Sequence, residues 1–256
     1  MAPPAIAPRG DHPDGARGPR GALLVRARAV RRAERARLPR PHEPSGGALV
    51  SHGVVPDRLA RTTRTAIAPL ARRLAAAGVT ANAVTAAGGT LTVIGGALIA
   101  VDRPQAALVA VLVGTACDTL DGAVARAGGG GTRLGAFLDS VIDRVADAAI
   151  FGGTAALGAS LGFGLLFWTG LIALIASSLV PYVRAKAESL GVSATVGPGP
   201  REARIVILII GLFAWAAFGE NELYLAAVAV LAVLAIVTFI QRVVHVAARL
   251  DAKEGT

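Results

Sequence analysis

The chain has 256 residues, of which 54% are hydrophobic, and its mean hydropathy of +0.58 is too high for an ordinary soluble domain. Its formal charge of +9 would suit a nucleic-acid partner, but most arginines lie in the first 75 residues or beside apolar segments. Such positions are typical of the cytoplasmic ends of membrane helices, so we expect a membrane protein with no nucleic-acid partner.

Residues 1–55 are rich in Arg, Pro, Ala and Gly and lack a helical or strand repeat, which is typical of a disordered tail. Such a tail either contacts anionic lipid headgroups or remains solvated. From residue 56 to residue 78, apolar residues such as Leu74 alternate with arginines such as Arg72 on a helical repeat. This pattern predicts a basic amphipathic juxtamembrane helix that lies in the interface rather than across the bilayer.

Residues 79–250 contain six apolar segments that could each cross a hydrocarbon core needing about 20 residues. We therefore expect an all-α membrane protein in which six transmembrane helices follow the interfacial helix. The second, third and fourth segments reach this length only with their charged ends, so a hydropathy window is expected to miss one of them. The segments are residues 81–101, 105–126, 134–158, 161–187, 202–219 and 222–248.

The charges that flank the segments indicate their orientation. Basic residues lie at one set of helix ends, so the positive-inside rule places both termini and the second loop in the cytoplasm. The basic set is Arg126, Arg133, Arg184, Lys186, Arg201, Arg204, Arg242, Arg249 and Lys253, and the opposite ends carry Arg103, Glu220 and Glu222.

Four aspartates interrupt the second and third apolar segments. Asp118 and Asp121 are three residues apart, and Asp139 and Asp143 are four apart, so each pair shares one helix face. A carboxylate at bilayer depth costs about 2.5–3.5 kcal/mol on insertion scales, so four of them require compensation. The short Gly-rich turn at residues 128–131 predicts that the two segments pack as antiparallel neighbours with their aspartates facing each other.

Clustered carboxylate oxygens are typical ligands of Mg²⁺ or Mn²⁺, and two divalent cations would balance four carboxylates. Gly122 and Gly135 lie near the aspartates, where glycine permits close approach of either a ligand or another helix. Arg126 could hold a phosphate or simply anchor the helix end. Together these features point to a diphosphate substrate, with one carboxylate taking the proton of an attacking hydroxyl.

The spacing of these residues resembles, without a gap, the signature of the CDP-alcohol phosphotransferase family. It reads Asp118-x2-Asp121-Gly122-x2-Ala125-Arg126-x8-Gly135-x3-Asp139-x3-Asp143. Eight identities at fixed spacing are a specific signal, and the resemblance extends over about residues 58–245. It implies a homodimeric six-helix enzyme of phospholipid biosynthesis in the bacterial cell membrane. Such an enzyme uses two Mg²⁺ or Mn²⁺ ions to transfer a phosphatidyl group from CDP-diacylglycerol to a polyol phosphate, and it releases CMP.

The resemblance also implies roles for individual residues. Asp118, Asp121, Asp139 and Asp143 would ligate metal, and Asp143 would in addition be the catalytic base. The residues implied to border the CDP moiety are Gly122, Arg126, Gly135, Asn82 and Thr85, and Ala81 stands where the family usually has proline.

The acceptor alcohol remains open at this point. Residues 139–147 look most like those of bacterial phosphatidylinositol-phosphate synthases, whose acceptor is an inositol phosphate. Glycerol 3-phosphate and a different alcohol are the alternatives. The implied acceptor pocket consists of Arg184, Lys186, Arg201 and Arg204, which are also expected simply as positive-inside anchors. Two other classes remain: a cation or proton transporter, and a structural membrane protein whose aspartates pair with arginines.

Overall fold

In a computed structural model, residues 57–198, 201–219 and 221–254 are described, except for the side chains of residues 57–66, 201–202 and 253–254. The predicted tail, residues 1–55, and Glu220 lie outside the described residues. Seven α-helices occupy the described ranges, which confirms the all-α class. They are α1 (Asp57–Ala76), α2 (Ala81–Ala100), α3 (Pro104–Ala127), α4 (Arg133–Ser160), α5 (Gly164–Ser189), α6 (Arg201–Phe218) and α7 (Asn221–Glu254).

Four of these helices, α2, α3, α5 and α7, are long and apolar enough to cross a membrane. The apolar part of α6, Ala203–Phe218, is shorter. Helix α4 is 28 residues long but carries four charged residues between positions 139 and 147. Helix α4 is thus the segment among the second to fourth that the hydropathy window misses, but α6 falls short as well, so four of the six expected spans are found within the described residues. These apolar helices indicate a membrane protein.

Threonine caps begin α2 and α4, two of the helices that bring polar residues to the site. Thr80 precedes α2, and its hydroxyl accepts a hydrogen bond from the amide of Ala83 at 3.2 Å. Thr132 precedes α4 and accepts from the amide of Gly135 at 2.9 Å. Each cap satisfies an amide of the first turn that has no partner within its helix, so these residues set where the helices start.

The turn between α3 and α4 depends on glycine. Gly129 and Gly130 have φ values of +100° and +116°, a conformation that L side chains rarely adopt. The amide of Gly130 donates to the carbonyl of Ala125 at 2.8 Å, which closes the end of α3. The chain therefore reverses within a few residues and brings the end of α3 beside the start of α4.

Helix α2 packs against both of the helices that carry aspartates. Two glycine pairs lie seven residues apart on α2, at Gly88–Gly89 and Gly95–Gly96. Because seven residues are close to two helical turns, the two pairs have nearly the same rotation about the helix axis. Successive residues of a helix point in different directions, so each pair can serve two neighbouring helices.

The first glycine of each pair faces α3 and the second faces α4. A Cβ added to Gly88 would lie 2.6 Å from the Cβ of Cys117, and a Cβ added to Gly96 would meet the backbone of Ala149. The other two glycines repeat this division, with Gly95 against Val111 and Gly89 against Ile142. Small residues let helix backbones approach closely, so glycine at these positions allows α2 to approach both helices at once.

Helices α3 and α4 do not form one of the extensive helix pairs within the described residues. The prediction that they pack directly on one another is therefore corrected. Both helices pack extensively against α2, because the glycines of α2 let their backbones come close. The short turn joins α3 to α4 but does not by itself force them into such close contact. Helices α3 and α4 instead face each other across aspartate side chains.

The largest apolar core lies at the other end of these helices from the aspartates. Its fully buried side chains include Leu157 of α4, Leu166 of α5, Leu212 of α6 and Tyr224 of α7. The hydroxyls of Tyr224 and Thr154 form a hydrogen bond of 2.6 Å within this core. The aspartate end is held instead by smaller apolar clusters and by polar contacts.

We expect Gly96→Ala to lower the melting temperature of the protein in detergent. The added Cβ would overlap the carbonyl of Ala149, and overpacking of this kind typically costs about 1–3 kcal/mol. Gly152→Ala is the matched control, because a Cβ at Gly152 meets nothing within 4 Å. That change should be neutral or stabilising, since alanine favours helix over glycine by about 0.5–1 kcal/mol. Equal melting temperatures for the two variants would contradict a close α2–α4 contact.

Candidate active site

Three aspartates from two helices meet near the start of α4. One carboxylate oxygen each from Asp118, Asp121 and Asp139 lies within 4.8 Å of the others, and we call these three residues the aspartate cluster. Asp121 is buried and the other two are half-buried. Several carboxylate oxygens from two helices make a donor set that suits a hard divalent cation such as Mg²⁺ or Mn²⁺. The residues present therefore fit the metal that the sequence predicts.

Asp143 lies one turn beyond Asp139 on α4 and outside the aspartate cluster. Its Oδ2 accepts a long hydrogen bond of 3.4 Å from Nη2 of Arg144, and its side chain is only 13% exposed. The four predicted ligands thus divide into three clustered carboxylates and one neighbour beside a cation. Metal ligation by Asp143 and its role as catalytic base stay predictions.

Thr85 on α2 contacts the most buried member of the aspartate cluster. Its Oγ1 lies 2.6 Å from Oδ2 of Asp121, and both residues are 9% exposed. The resemblance implies that Thr85 borders the nucleotide, whereas the structure places its hydroxyl against a carboxylate. The two residues are 36 positions apart in the chain, so their spacing offers no signal of this contact.

The two glycines of the motif lie against polar side chains. Nη1 of Arg126 is 3.4 Å from the position of a Cβ on Gly122, and Oδ1 of Asn82 is 2.9 Å from that of a Cβ on Gly135. The second contact is tight enough that a side chain at position 135 would displace Asn82. Four of the five residues predicted to border the nucleotide therefore lie in two contacting pairs near the turn between α3 and α4. The pairs are Gly122 with Arg126 and Gly135 with Asn82.

The basic residues predicted for the acceptor pocket have different surroundings. Arg184 and Lys186 are exposed near the end of α5, and Nε of Arg184 contacts Oε1 of Glu188 at 2.9 Å. An exposed pair of this kind contributes little stability. The side chain of Arg201 lies outside the described residues.

Arg204 on α6 is the half-buried member of this set. Its Nη2 donates to Oγ1 of Thr238 at 3.0 Å, while its buried Nε has no hydrogen-bond partner within the described parts of the chain. Asp147, one turn beyond Asp143 on α4, lies within electrostatic range of Arg204. A buried donor without a partner is costly, so an anionic ligand that accepts from this Nε would be favoured.

Arg242 on α7 has a structural role beyond the orientation signal that its charge gives in the sequence. Its Nε donates to the carbonyl of Val196 and its Nη1 to the carbonyl of Val180, both at 3.0 Å. These bonds tie the loop after α5 to α5 and α7. A detectable signal was present: Thr238 and Arg242 are polar, four residues apart and on one helix face, and they follow an uninterrupted apolar stretch at residues 225–237.

Arg184, Arg204 and Arg242 come from three helices, and the first two each lie close enough to Arg242 for their charges to interact with it. We call them the basic cluster. Glu188 is close enough to offset part of the positive charge near Arg242. Cations held together by the fold raise the local positive potential, which attracts an anion such as a phosphate.

Residues 78–241 match the sequence model of the CDP-alcohol phosphatidyltransferase family. The chain belongs to this family. The family predicted from the motif spacing, and the prediction that the chain is an enzyme, are thereby confirmed. An enzyme family also accounts for the aspartates without the alternatives of a transporter or a purely structural protein.

Two relatives and one solved fold illustrate the similarity. A phosphatidylinositol phosphate synthase of Mycobacteroides abscessus is 39% identical over 180 residues, which is 68% of this chain and 80% of the relative. An archaetidylinositol phosphate synthase of Pyrococcus horikoshii is 36% identical over 185 residues, or 71% of this chain and 91% of the relative.

The fold is also similar to crystal structures of Mycobacterium tuberculosis phosphatidylinositol phosphate synthase, with a TM-score of 0.65 at 32% identity over 70% of this chain. One of these structures has CDP-DAG bound, and the match includes 92% of its chain. Another contains manganese and citrate, and the match includes 88% of its chain.

We expect Arg242→Lys to loosen the loop that follows α5. Lysine keeps the charge, but its compact ammonium lacks the rigid guanidinium fork that reaches Val180 and Val196 together. Amides in residues 191–198 should then exchange faster with deuterium, as measured by mass spectrometry on the protein in detergent. Arg72→Lys is the control, because Arg72 is exposed on α1, a helix that makes no extensive contact with α5 or α7 within the described residues. Unchanged exchange in Arg242→Lys would contradict the clamp.

Proposed function

We propose that this chain transfers the phosphatidyl group of CDP-diacylglycerol to an inositol phosphate in a divalent-metal-dependent reaction that releases CMP. One observation carries the proposal: α4 connects the aspartate cluster at Asp139 with the charge of Arg204 near Asp147. A site for metal and diphosphate therefore adjoins a site for a second phosphate. The names of the relatives, and the CDP-DAG and manganese bound to the Mycobacterium tuberculosis enzyme, support the same reaction.

The aspartate cluster would hold the divalent metal, with Asp143 close by. When bound, the metal would offset negative charge on the diphosphate and on the departing phosphate. Asp118, Asp121 and Asp139 suit this role because all three are at least half-buried and offer oxygen ligands from two helices.

The donor nucleotide would lie against Gly122, Gly135, Arg126 and Asn82. Gly122 has no side chain, so a phosphate can approach the backbone of α3 beside Arg126, while the absence of a side chain at Gly135 leaves room for Asn82. The guanidinium of Arg126 can donate two parallel hydrogen bonds to phosphate oxygens, which orients the diphosphate as well as binding it.

Asp143 would act as the general base. The hydroxyl oxygen of the acceptor forms a bond to the phosphorus that carries diacylglycerol, and the hydroxyl proton passes to Asp143. The bond from that phosphorus to the bridging oxygen breaks, and CMP leaves with this oxygen and its electron pair. Arg144, whose Nη2 lies 3.4 Å from Oδ2 of Asp143, would orient the carboxylate before the transfer.

The phosphate of the acceptor would bind at the basic cluster, with Lys186 and Arg201 as further cations near the same helix ends. The buried Nε of Arg204 would gain the partner that it lacks within the described residues. Inositol phosphate and glycerol 3-phosphate share this phosphate, so the basic cluster alone does not choose between them. The choice of inositol phosphate is supported by the names of the relatives.

We further infer that α2 to α7 are six transmembrane helices of a catalytic domain at residues 79–250. The charged half of α4 would be shielded from lipid by the neighbouring helices against which it packs, α2 and α5. Basic residues at one set of helix ends support a site that faces the cytoplasm of a bacterial cell membrane. The family resemblance supports a homodimer.

Helix α1 would lie in the membrane interface as part of a juxtamembrane unit at residues 56–78, after a tail at residues 1–55. Ala71 is fully buried in a cluster with Val84 of α2 and Val124 of α3. Arg72 and Arg73 are exposed. A helix that packs one face on the bundle and presents arginines elsewhere is suited to anionic lipid headgroups.

The proposed reaction is tested by CMP release. Folded protein in detergent, given CDP-diacylglycerol, Mg²⁺ and inositol phosphate, should release CMP. Asp143→Asn should lower the rate by about 10²–10⁴-fold, the usual range for loss of general acid–base catalysis. Asp251→Asn is the control, because Asp251 is exposed near the end of α7. CMP release with glycerol 3-phosphate but not with inositol phosphate would identify glycerol 3-phosphate as the acceptor. Absence of CMP release with both polyol phosphates would contradict the proposal.

The acceptor site is tested separately with Arg204→Gln. Loss of a hydrogen bond from a charged donor to phosphate costs about 1.5–3 kcal/mol, which corresponds to a KM for inositol phosphate raised about 10- to 100-fold. The KM for CDP-diacylglycerol should stay near that of the unaltered enzyme. An effect confined to the KM for CDP-diacylglycerol would place Arg204 on the donor side.

A further inference from the structure

The hydroxyl of Thr85 has two acceptors within reach. It lies 3.0 Å from the carbonyl of Ala81, one turn earlier on α2, and 2.6 Å from Oδ2 of Asp121 on α3. Threonines in helices commonly donate to the carbonyl four residues back, as Thr90 does to Ala86 at 2.8 Å on the same helix. Thr85 differs from Thr90 because a carboxylate lies closer than its helical carbonyl.

The short distance assigns the proton of Thr85. A hydroxyl carries a single proton, so it makes one full donation at a time. If Thr85 donated to Ala81, its Oγ1 and the carboxylate oxygen of Asp121 would face each other at 2.6 Å with lone pairs alone, which is repulsive. Donation to an ionised carboxylate instead gives a charge-assisted bond, for which about 2.5–2.7 Å is the usual length.

We propose that Thr85 is a positioning residue that fixes the Asp121 carboxylate for metal binding, an inference that rests on the proposed function. A hydrogen bond to one carboxylate oxygen limits rotation of the whole group and so sets the direction of both oxygens. Thr85 and Asp121 are each 9% exposed, so water competes weakly for this bond. Outer partners that orient ligating carboxylates typically contribute about 10- to 100-fold to metal affinity.

The packing of α2 explains how the hydroxyl reaches its partner. Thr85 is three residues before Gly88, so both residues lie on the face of α2 that meets α3. The missing side chain at Gly88 lets the two backbones approach, with the carbonyl of Gly114 only 3.0 Å from where a Cβ would stand. The position of Thr85 therefore follows from the same close contact that places the backbone of α3.

The test is a titration with Mn²⁺ in the absence of nucleotide, with unbound Mn²⁺ measured by electron paramagnetic resonance on full-length protein in detergent. Thr85→Val keeps the shape of the side chain but removes the hydroxyl, and should raise the Kd for Mn²⁺ about 10- to 100-fold. Thr85→Ser keeps a hydroxyl and should restore most of the affinity. Thr90→Val is the matched control, because it removes a threonine hydroxyl of α2 whose one hydrogen bond among the described residues is to a helical carbonyl.

An Mn²⁺ affinity in Thr85→Val equal to that of the unaltered protein would overturn the positioning role while leaving the proposed function intact. The positioning role is also overturned if Thr85→Val changes only the KM for CDP-diacylglycerol, since Thr85 would then serve the nucleotide. If the unaltered protein binds no Mn²⁺, the proposed function fails and the positioning role fails with it.

Further variants keep the proposal testable if Thr85→Val fails to fold, which a measurement of its melting temperature would reveal. If Thr85→Val does not fold, Thr85→Ala removes the hydroxyl without adding bulk and should show the same loss of affinity. In an Asp121→Asn background, Thr85→Val should cause no further change in the Kd for Mn²⁺, because its partner is already altered. A further loss in that background would mean that Thr85 acts on the metal by another route and would overturn the proposal.

Discussion

The close approach of α2 to two helices at once is the constraint on which the rest of this structure depends. Helices α3 and α4 carry the aspartates, yet both are packed against α2 through its two glycine pairs. A larger side chain at Gly88 would hold α3 further away, and Thr85 would then lose its 2.6 Å contact with Asp121. A larger side chain at Gly96 would hold α4 further away instead. Residues without side chains thus determine where the carboxylates lie.

Stability and chemistry are concentrated at different ends of the helices. Leu157, Leu166 and Tyr224 pack in an apolar core away from the site. Near the site, carboxylates and guanidinium groups are removed from water, which is costly unless each finds hydrogen-bond partners. Arg242 finds two such partners, because its guanidinium donates to the carbonyls of Val196 and Val180. An apolar core elsewhere lets the site end keep polar groups that bind ligands instead of filling space.

Sequence reasoning succeeds here where the relevant physics is local. Asp118 and Asp121, three residues apart, share a face of any helix that contains them, so their proximity is predictable. The contact of Thr85 with Asp121 joins residues 36 positions apart and depends on how closely α2 packs on α3, which spacing does not encode. The predicted direct packing of α3 on α4 was wrong for the same reason. Neighbours along the chain are not necessarily each other's main packing partners.

The order of residues along α4 matches the order of reactants in the proposed reaction. Gly135 would border the nucleotide, Asp139 belongs to the aspartate cluster, Asp143 would take the proton, and Asp147 lies within electrostatic range of Arg204. Each step of four residues advances about 6 Å along a helix. In-line transfer requires the acceptor hydroxyl to approach the phosphorus from the side opposite the departing CMP. A base placed beyond the metal ligands, on the side away from the nucleotide, meets that requirement, so one helix would orient both substrates for transfer.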